Sequence, residues 1–207
     1  MKNAIEYFYK QAYNIVKYSI YLLNYLRFKL VLGNSSKFYI GSHPSITGAG
    51  KISLGRNFFS NKNLRIEVIG EIIEDNYKLI IGDNVGIGSN VHIGVTNSII
   101  IKNQVLMGSN ILITDHNHGN YNGLNQSSPL VPPVSRKLNF DSKILIEENV
   151  WIGDGVVILP AVIIGRGSII GANSVVNKNV PEFVIAAGNP IRILKKYNFS
   201  SSEWEKV

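Results

Sequence analysis

The sequence predicts an all-β solenoid of three-sided coils with one helix at its amino end. Apolar residues recur every six positions over most of the chain, and a second apolar residue stands two positions before most of them. Corner signals such as Gly82-Asp83-Asn84, Gly88-Ser89-Asn90 and Gly108-Ser109-Asn110 follow the apolar pairs, where such a chain would turn. Composition agrees: 207 residues, 45% hydrophobic and 17% charged, suffice for one folded core and argue against disorder. Cysteine is absent, which excludes a disulfide scaffold, a thiolate zinc site and a cysteine nucleophile. The 21 basic residues exceed the 14 acidic ones, giving +7 and favouring anionic partners.

The first element spans residues 1–33. Ile5, Phe8, Ala12, Val16, Ile20, Leu23, Leu26 and Leu30 recur every three or four residues, the stripe of an amphipathic helix, with Gly33-Asn34 as its stop. Lys2, Lys10, Lys17, Arg27 and Lys29 stand against Glu6 alone, so +4 of the +7 lies here. The stripe is expected to pack on the rest of the protein or on a neighbouring subunit. Lying at a membrane interface is the alternative, since basic and aromatic residues both help there. The longest uncharged run, Tyr18 to Leu26, is far short of the roughly 18–20 apolar residues of a span. No small-residue cleavage site follows a hydrophobic run. A cytoplasmic protein is expected, touching at most the inner face of the membrane.

The solenoid occupies 34–186. Ile40, Ile46, Ile52, Phe58 and Leu64 are spaced by six, and after an interruption at 65–78 the period restarts at Ile81, Ile87 and Ile93. Extra residues at Thr96-Asn97-Ser98 shift the phase before Ile101, Met107 and Ile113. An excursion at 115–143 follows, then Ile146, Ile152, Ile158, Ile164, Ile170 and Val176. The second series includes Leu79, Val85, Val91, Ile99, Val105, Ile111, Ile144, Val150, Val156 and Val162. Residues two apart on a strand share a face, so each hexad is a short strand with an inward pair. A sandwich would instead alternate with period two and turn every 8–12 residues. Three hexads close one coil, and stacked coils bury a continuous aliphatic column. Residues 187–207 form a short tail.

The repeats, with Ile113-Thr-Asp-His-Asn-His-Gly119, Val150-Trp-Ile-Gly153, Ile158-Leu-Pro160, Gly171-Ala-Asn-Ser-Val-Val176 and Ala186-Ala-Gly-Asn-Pro190, resemble the hexapeptide-repeat acyltransferases. The likeness covers about residues 40–197 and is nearest to bacterial sugar O-acetyltransferases of lipopolysaccharide and capsule synthesis. Galactoside and maltose acetyltransferases are more distant. The resemblance implies a left-handed parallel β-helix, a handedness that spacing alone does not give. It also implies acetyl-CoA as donor, a sugar or polysaccharide acceptor, and a homotrimer with sites between subunits.

Moving an acetyl group from a thioester to a hydroxyl needs a base, and histidine suits that work near neutral pH. Of His43, His92, His116 and His118, the last two lie in Asp115-His-Asn-His-Gly, where the period stops. By resemblance, counting from Asn110 puts the base at His118. His116 is the alternative because Asp115 adjoins it, a candidate to fix the tautomer. His43 and His92, each alone, read as polar surface residues. The spacing of His92, His116 and His118 does not match the three-histidine zinc site of the related gamma-class carbonic anhydrases, so no metal is expected.

For the donor, the resemblance puts Trp151 beside the pantetheine arm, with Gly153 leaving room and the Ala172 backbone approaching. Asn177 and Lys178 match a threonine-lysine pair at the adenosine end; Asn177 departs from the pattern but can still hydrogen-bond. Arg192 matches a basic residue near the phosphates, and Lys195 is a further candidate. The loop 119–143 is long for a connection without structure, so it is expected to cover the acceptor site, with Arg136 a candidate for an anionic acceptor group. The expected activity is O-acetylation of a sugar in surface polysaccharide synthesis, by direct transfer without an acetyl-enzyme. The alternatives are N-acetylation of an amino sugar, acetylation of a small antibiotic-like alcohol, or a non-enzymatic binding module. No nucleic-acid motif supports binding to DNA or RNA.

Overall fold

In a computed structural model of the protein, residues 2–32, 37–70, 77–139 and 142–207 are described. Helix α1 (Lys2–Leu32) precedes a three-sided parallel β-helix. Its first coil is β1 (Phe38–Ile40), β2 (Ser45–Thr47) and β3 (Ile52–Leu54); the second is β4 (Phe58–Ser60), β5 (Arg65–Val68) and β6 (Leu79–Ile81). The third is β7 (Gly86–Ile87), β8 (His92–Val95) and β9 (Ser98–Ile101); the fourth is β10 (Leu106–Met107), β11 (Leu112–Thr114) and β12 (Lys143–Ile146). The fifth is β13 (Trp151–Ile152), β14 (Val157–Ile158) and β15 (Ile163–Ile164). Then β16 (Ile169–Ile170), β17 (Val175–Val176) and β18 (Val184–Ala187) lead into β19 (Arg192–Asn198) and β20 (Glu203–Lys206).

Each strand from β1 to β18 pairs in parallel with the strand one coil away, which makes three sheets. The first runs β1-β4-β7-β10-β13-β16-β18, extended by antiparallel β19 and β20. The second is β2-β5-β8-β11-β14-β17, and the third β3-β6-β9-β12-β15. The inward pairs are buried throughout, so Ile87, Met107, Ile152, Ile170 and Ala186 form one column under the first sheet. The tail expected at 187–207 is therefore a hairpin that finishes this sheet, anchored by Phe183, Tyr197, Phe199 and Trp204 packed edge to face.

The corners are not equivalent. Trailing inward residues are spaced by six from the first sheet to the second and from the third back to the first. From the second to the third the steps are longer in the first four coils, Ile46 to Leu54, Ile66 to Ile81, Ile93 to Ile101 and Ile113 to Ile146, and six only at Ile158 to Ile164, so every insertion falls on one edge. The two regular corners use asparagine in the left-handed region, as at Asn57, Asn84, Asn63, Asn90 and Asn110. Their amides hydrogen-bond from coil to coil: Asn57 to Asn84 at 2.9 Å, Asn63 to Asn90 at 2.7 Å, Asn90 to Asn110 at 2.9 Å. Asparagine tolerates positive φ and brings a donor and an acceptor to the stack.

Two expectations need correction. Ile52, Phe58 and Leu64 do not continue the row of Ile40 and Ile46: Phe58 pairs with Phe38, and Ser60 lies beside Ile40. Gly48, at φ 68, and the short 3-10 turn Ala49–Lys51 add two residues at the irregular corner. Both members of an inward pair face the core, so a shift of two leaves an apparent period of six intact. The second correction concerns α1. Among its described side chains Tyr21, Phe28 and Leu32 are buried: Phe28 and Leu32 join the core column, and Tyr21 packs edge to face on Tyr39 and Phe59. Asn24 Nδ2 donates to the carbonyls of Ile40 at 3.0 Å and Gly41 at 2.6 Å. The expected stripe instead faces outward: Val16, Leu23, Leu26 and Leu30 are exposed, Leu30 by 88%. The expected stop at Gly33-Asn34 and the side chains of Ile5 and Phe8 lie outside the described residues.

Candidate active site

The irregular edge gathers the polar groups. On the second sheet, register aligns Glu67, Gly94 and Thr114 across β5, β8 and β11. One residue beyond β11, the chain turns out of the coil at Asp115, whose side chain is fully buried. Its carboxylate takes four hydrogen bonds from the corner one coil below. Thr96 N–H and Thr96 Oγ1 donate to Oδ1 at 2.8 and 2.9 Å, and Asn97 and Ser98 N–H donate to Oδ2 at 2.8 and 2.9 Å. The two-residue insertion at 96–98 is thus fastened to the start of the excursion, and a buried carboxylate is satisfied.

His116 is anchored by the same group. Its Nδ1 lies 3.2 Å from Asp115 Oδ1 and 3.2 Å from Thr114 Oγ1, and its side chain is 13% exposed. With Nδ1–H donating to the carboxylate, Nε2 keeps its lone pair, the arrangement a general base requires. The ring covers Gly94, where an added Cβ would stand 3.1 Å from His116 Cε1. His118 is exposed; its backbone bridges to Leu138, and its carbonyl accepts from the Tyr121 hydroxyl at 2.6 Å. His43 lies at a corner, φ 55, away from this edge.

Two further residues lie near His116: His92, which the sequence alone reads as a polar residue without a chemical role, and Glu67, which it does not single out. His92 Nε2 lies 2.9 Å from Glu67 Oε2, while Arg65 Nη2 donates to Glu67 Oε1 at 2.8 Å. The hydrogen bond from Arg65, partly opposed by burial and assisted by His92, holds the Glu67 carboxyl below its ordinary range. The signal was present only in the stacking: Glu67 and His92 meet because they occupy adjacent coils, although 25 residues separate them.

The expected donor residues divide between two faces. Asn177 and Lys178 follow β17 on the edge that carries His116, two coils further along, both exposed. Trp151 lies outward on the first sheet beside Leu106, 52% exposed. Gly153 is at the following corner, where a Cβ would come within 2.7 Å of Ala172 N, so the glycine is required by close coil stacking. Arg192 opens β19, and Lys195 pairs with Ile185 on that sheet. Within one chain, Trp151 and His116 do not share a face.

The excursion is organised by its own contacts. Arg136 Nε donates to the Val131 carbonyl at 2.9 Å, Nη1 to the Tyr121 hydroxyl at 2.7 Å and Nη2 to the Pro129 carbonyl at 3.4 Å. The guanidinium ties the loop together from within and also lines the cavity beside it. This open polar cavity of ≈ 480 Å³ is lined by Asn120, Asn125, Gln126, Ser127, Lys137 and Asn139 among others. Among the described residues, no group of three or more His, Asp or Glu side chains is placed to hold a metal, and no helix is long and apolar enough to cross a membrane.

Comparison with known proteins follows this geometry. Residues 143–178 match the bacterial transferase hexapeptide (six repeats) family. The chain is 40% identical over 163 residues to an Escherichia coli (strain K12) protein named as a lipopolysaccharide biosynthesis O-acetyl transferase, WbbJ, covering 78% of this chain and 80% of that one. Among solved structures it resembles a hexapeptide-repeat containing acetyltransferase from Vibrio cholerae O1 biovar eltor in complex with acetyl coenzyme A. That match has 25% identity and TM-score 0.53, over 83% of this chain and 84% of that chain. It also shares the fold of AntD, an N-acyltransferase from Bacillus cereus, at 21% identity and TM-score 0.53, over 78% of this chain and 84% of that chain. The fold is the left-handed parallel β-helix of hexapeptide-repeat proteins.

Proposed function

The chain belongs to the hexapeptide-repeat acetyltransferases, and on that premise we propose that it moves an acetyl group from acetyl-CoA to a sugar hydroxyl in lipopolysaccharide or related surface-polysaccharide synthesis. The observation that carries the chemistry is the buried Asp115 beside His116, which leaves one imidazole nitrogen to act as base at an edge of the coil. His116 takes the acceptor hydroxyl proton on Nε2 as the sugar oxygen forms its bond to the thioester carbonyl carbon. The carbon–sulfur bond then breaks, and the proton passes to the departing thiolate. His118, exposed at the mouth of the excursion, contacts the acceptor rather than the thioester.

The donor is the substrate bound between subunits in this reading. Trp151 and Leu106 offer an apolar wall for the pantetheine arm, with Gly153 and Ala172 at the adjoining corner. Asn177, Lys178, Arg192 and Lys195 meet the adenosine and phosphate end. Because the Trp151 and His116 faces are separate, the active protein is a homotrimer in which one subunit's first sheet completes its neighbour's irregular edge. The loop 119–143 covers the acceptor. Residues 1–33, 34–186 and 187–207 serve as helix, catalytic solenoid and closing hairpin. The protein is cytoplasmic, and the outward stripe of α1, with Lys10, Arg27 and Lys29 exposed on the same helix, rests on the anionic inner surface of the membrane.

Product analysis tests the transfer. Wild-type protein with acetyl-CoA and a panel of methyl glycosides, including an amino sugar, is expected to yield an O-acetyl ester identified by NMR. An amide on the amino sugar alone favours the N-acyl chemistry that AntD's name describes. No acetylated product from any glycan sinks the proposal.

A further inference from the structure

We propose that the Glu67–His92 pair is the acceptor-positioning element of this site, receiving a second hydroxyl of the acceptor sugar beside the one that reacts at His116. The inference rests on the acetyl-transfer reading above and adds to it two residues and a substrate class, a sugar with neighbouring free hydroxyls.

The geometry repeats itself one coil apart. His116 is tethered through Nδ1 to Asp115, and His92 through Nε2 to Glu67 at 2.9 Å. In each case one ring nitrogen is committed to a carboxylate and the other keeps a lone pair for an outside donor. Both imidazoles border the same residue. A Cβ placed on Gly94 would meet His116 Cε1 at 3.1 Å and His92 Nε2 at 3.9 Å, so the two rings flank one small patch of surface. Neighbouring hydroxyls on a pyranose stand a few ångströms apart, and this patch offers them the His116 ring on one side and the Glu67–His92 pair on the other.

The pair is also more elaborate than a chance surface contact. Glu67 is fixed from its other oxygen by Arg65 at 2.8 Å, so the carboxylate is oriented before it meets His92. The His92 side chain is 34% exposed, enough to meet a ligand while its position is held. The residues belong to β5 and β8, regular strands whose register with β11 is fixed by the stack, so the spacing to His116 does not depend on the excursion loop. Among the described residues no metal cluster competes for these side chains. His92 is a positioning residue: it takes no proton in the chemical step and sets which hydroxyl reaches His116.

The test compares wild type, His92→Ala, His92→Asn, Glu67→Gln and His116→Ala, using the best methyl glycoside of the panel and its monodeoxy analogues. His92→Ala and Glu67→Gln are expected to raise the acceptor KM roughly five- to tenfold, as loss of one hydrogen bond does, with the acetyl-CoA KM unchanged. His92→Asn restores part of the loss because an amide oxygen can accept the same hydrogen bond. Wild type is expected to discriminate against the deoxy analogue lacking the neighbouring hydroxyl, and His92→Ala to lose that discrimination. If wild type is active and His116→Ala is not, while His92→Ala keeps both acceptor KM and discrimination, this inference is overturned and the transfer reading stands. If no glycan is acetylated by wild type, the transfer reading falls and takes this inference with it.

Discussion

At the scale of single residues, Asp115 and Gly94 decide what His116 can do. Asp115 joins two coil corners through four hydrogen bonds and meets the imidazole through the same oxygen that accepts from Thr96, so fold and site share one buried group. Gly94 leaves the space into which the ring settles. Gly94 is not among the glycines held at positive φ, so alanine there is tolerated by the backbone and acts only through its methyl group. Gly94→Ala is therefore expected to displace His116 by a few tenths of an ångström and lower kcat on the order of tenfold, while thermal unfolding changes little. Steady-state kinetics beside a melting curve checks it; a parallel loss of both would mean that Gly94 serves the fold instead.

At the scale of elements, the coils carry stability and the irregular edge carries chemistry. Ile152 is fully buried between Met107 and Ile170, so Ile152→Ala removes three carbons from a stacked column. A loss of about 2–5 kcal/mol in chemical denaturation is expected, with kcat preserved where the protein remains folded. Much of this level was legible in the sequence. The six-residue period, the excursion at 115–143 and the phase shift at Thr96-Asn97-Ser98 follow from inward pairs on short strands. The shift at Ala49–Lys51 was hidden because leading and trailing positions are equally apolar. The His116–Asp115 contact was legible because the two residues are adjacent in sequence. Glu67–His92 was not, since pairing across coils depends on how many residues each corner inserts. The internal bonds of Arg136 were not legible either, because a loop's own carbonyls leave no mark in composition.

At the scale of the whole molecule, two faces remain to be covered. The first sheet presents Leu106 and Trp151 outward, and α1 presents Val16, Leu23, Leu26 and Leu30. The proposal gives the first to a neighbouring subunit. Light scattering should then return three times the chain mass of 22.9 kDa; a monomer that turns over at full rate would contradict it. The second is given to lipid. Wild type should sediment with anionic phosphatidylserine vesicles and less with neutral ones, and Leu26→Glu should release it without lowering activity on soluble glycans. If Leu26→Glu instead dissociates the oligomer, that stripe is a subunit contact.

The central claim is that the imidazole tethered to the buried carboxylate, rather than its exposed neighbour two residues on, takes the proton of the acceptor. Free-thiol release from acetyl-CoA, followed with the best glycan for wild type, His116→Ala and His118→Ala, tests it most directly. The account predicts that His116→Ala loses roughly 10²–10⁴ in kcat with its melting temperature near that of wild type, and that His118→Ala stays within a few-fold. Full turnover by His116→Ala, or collapse confined to His118→Ala, would contradict it.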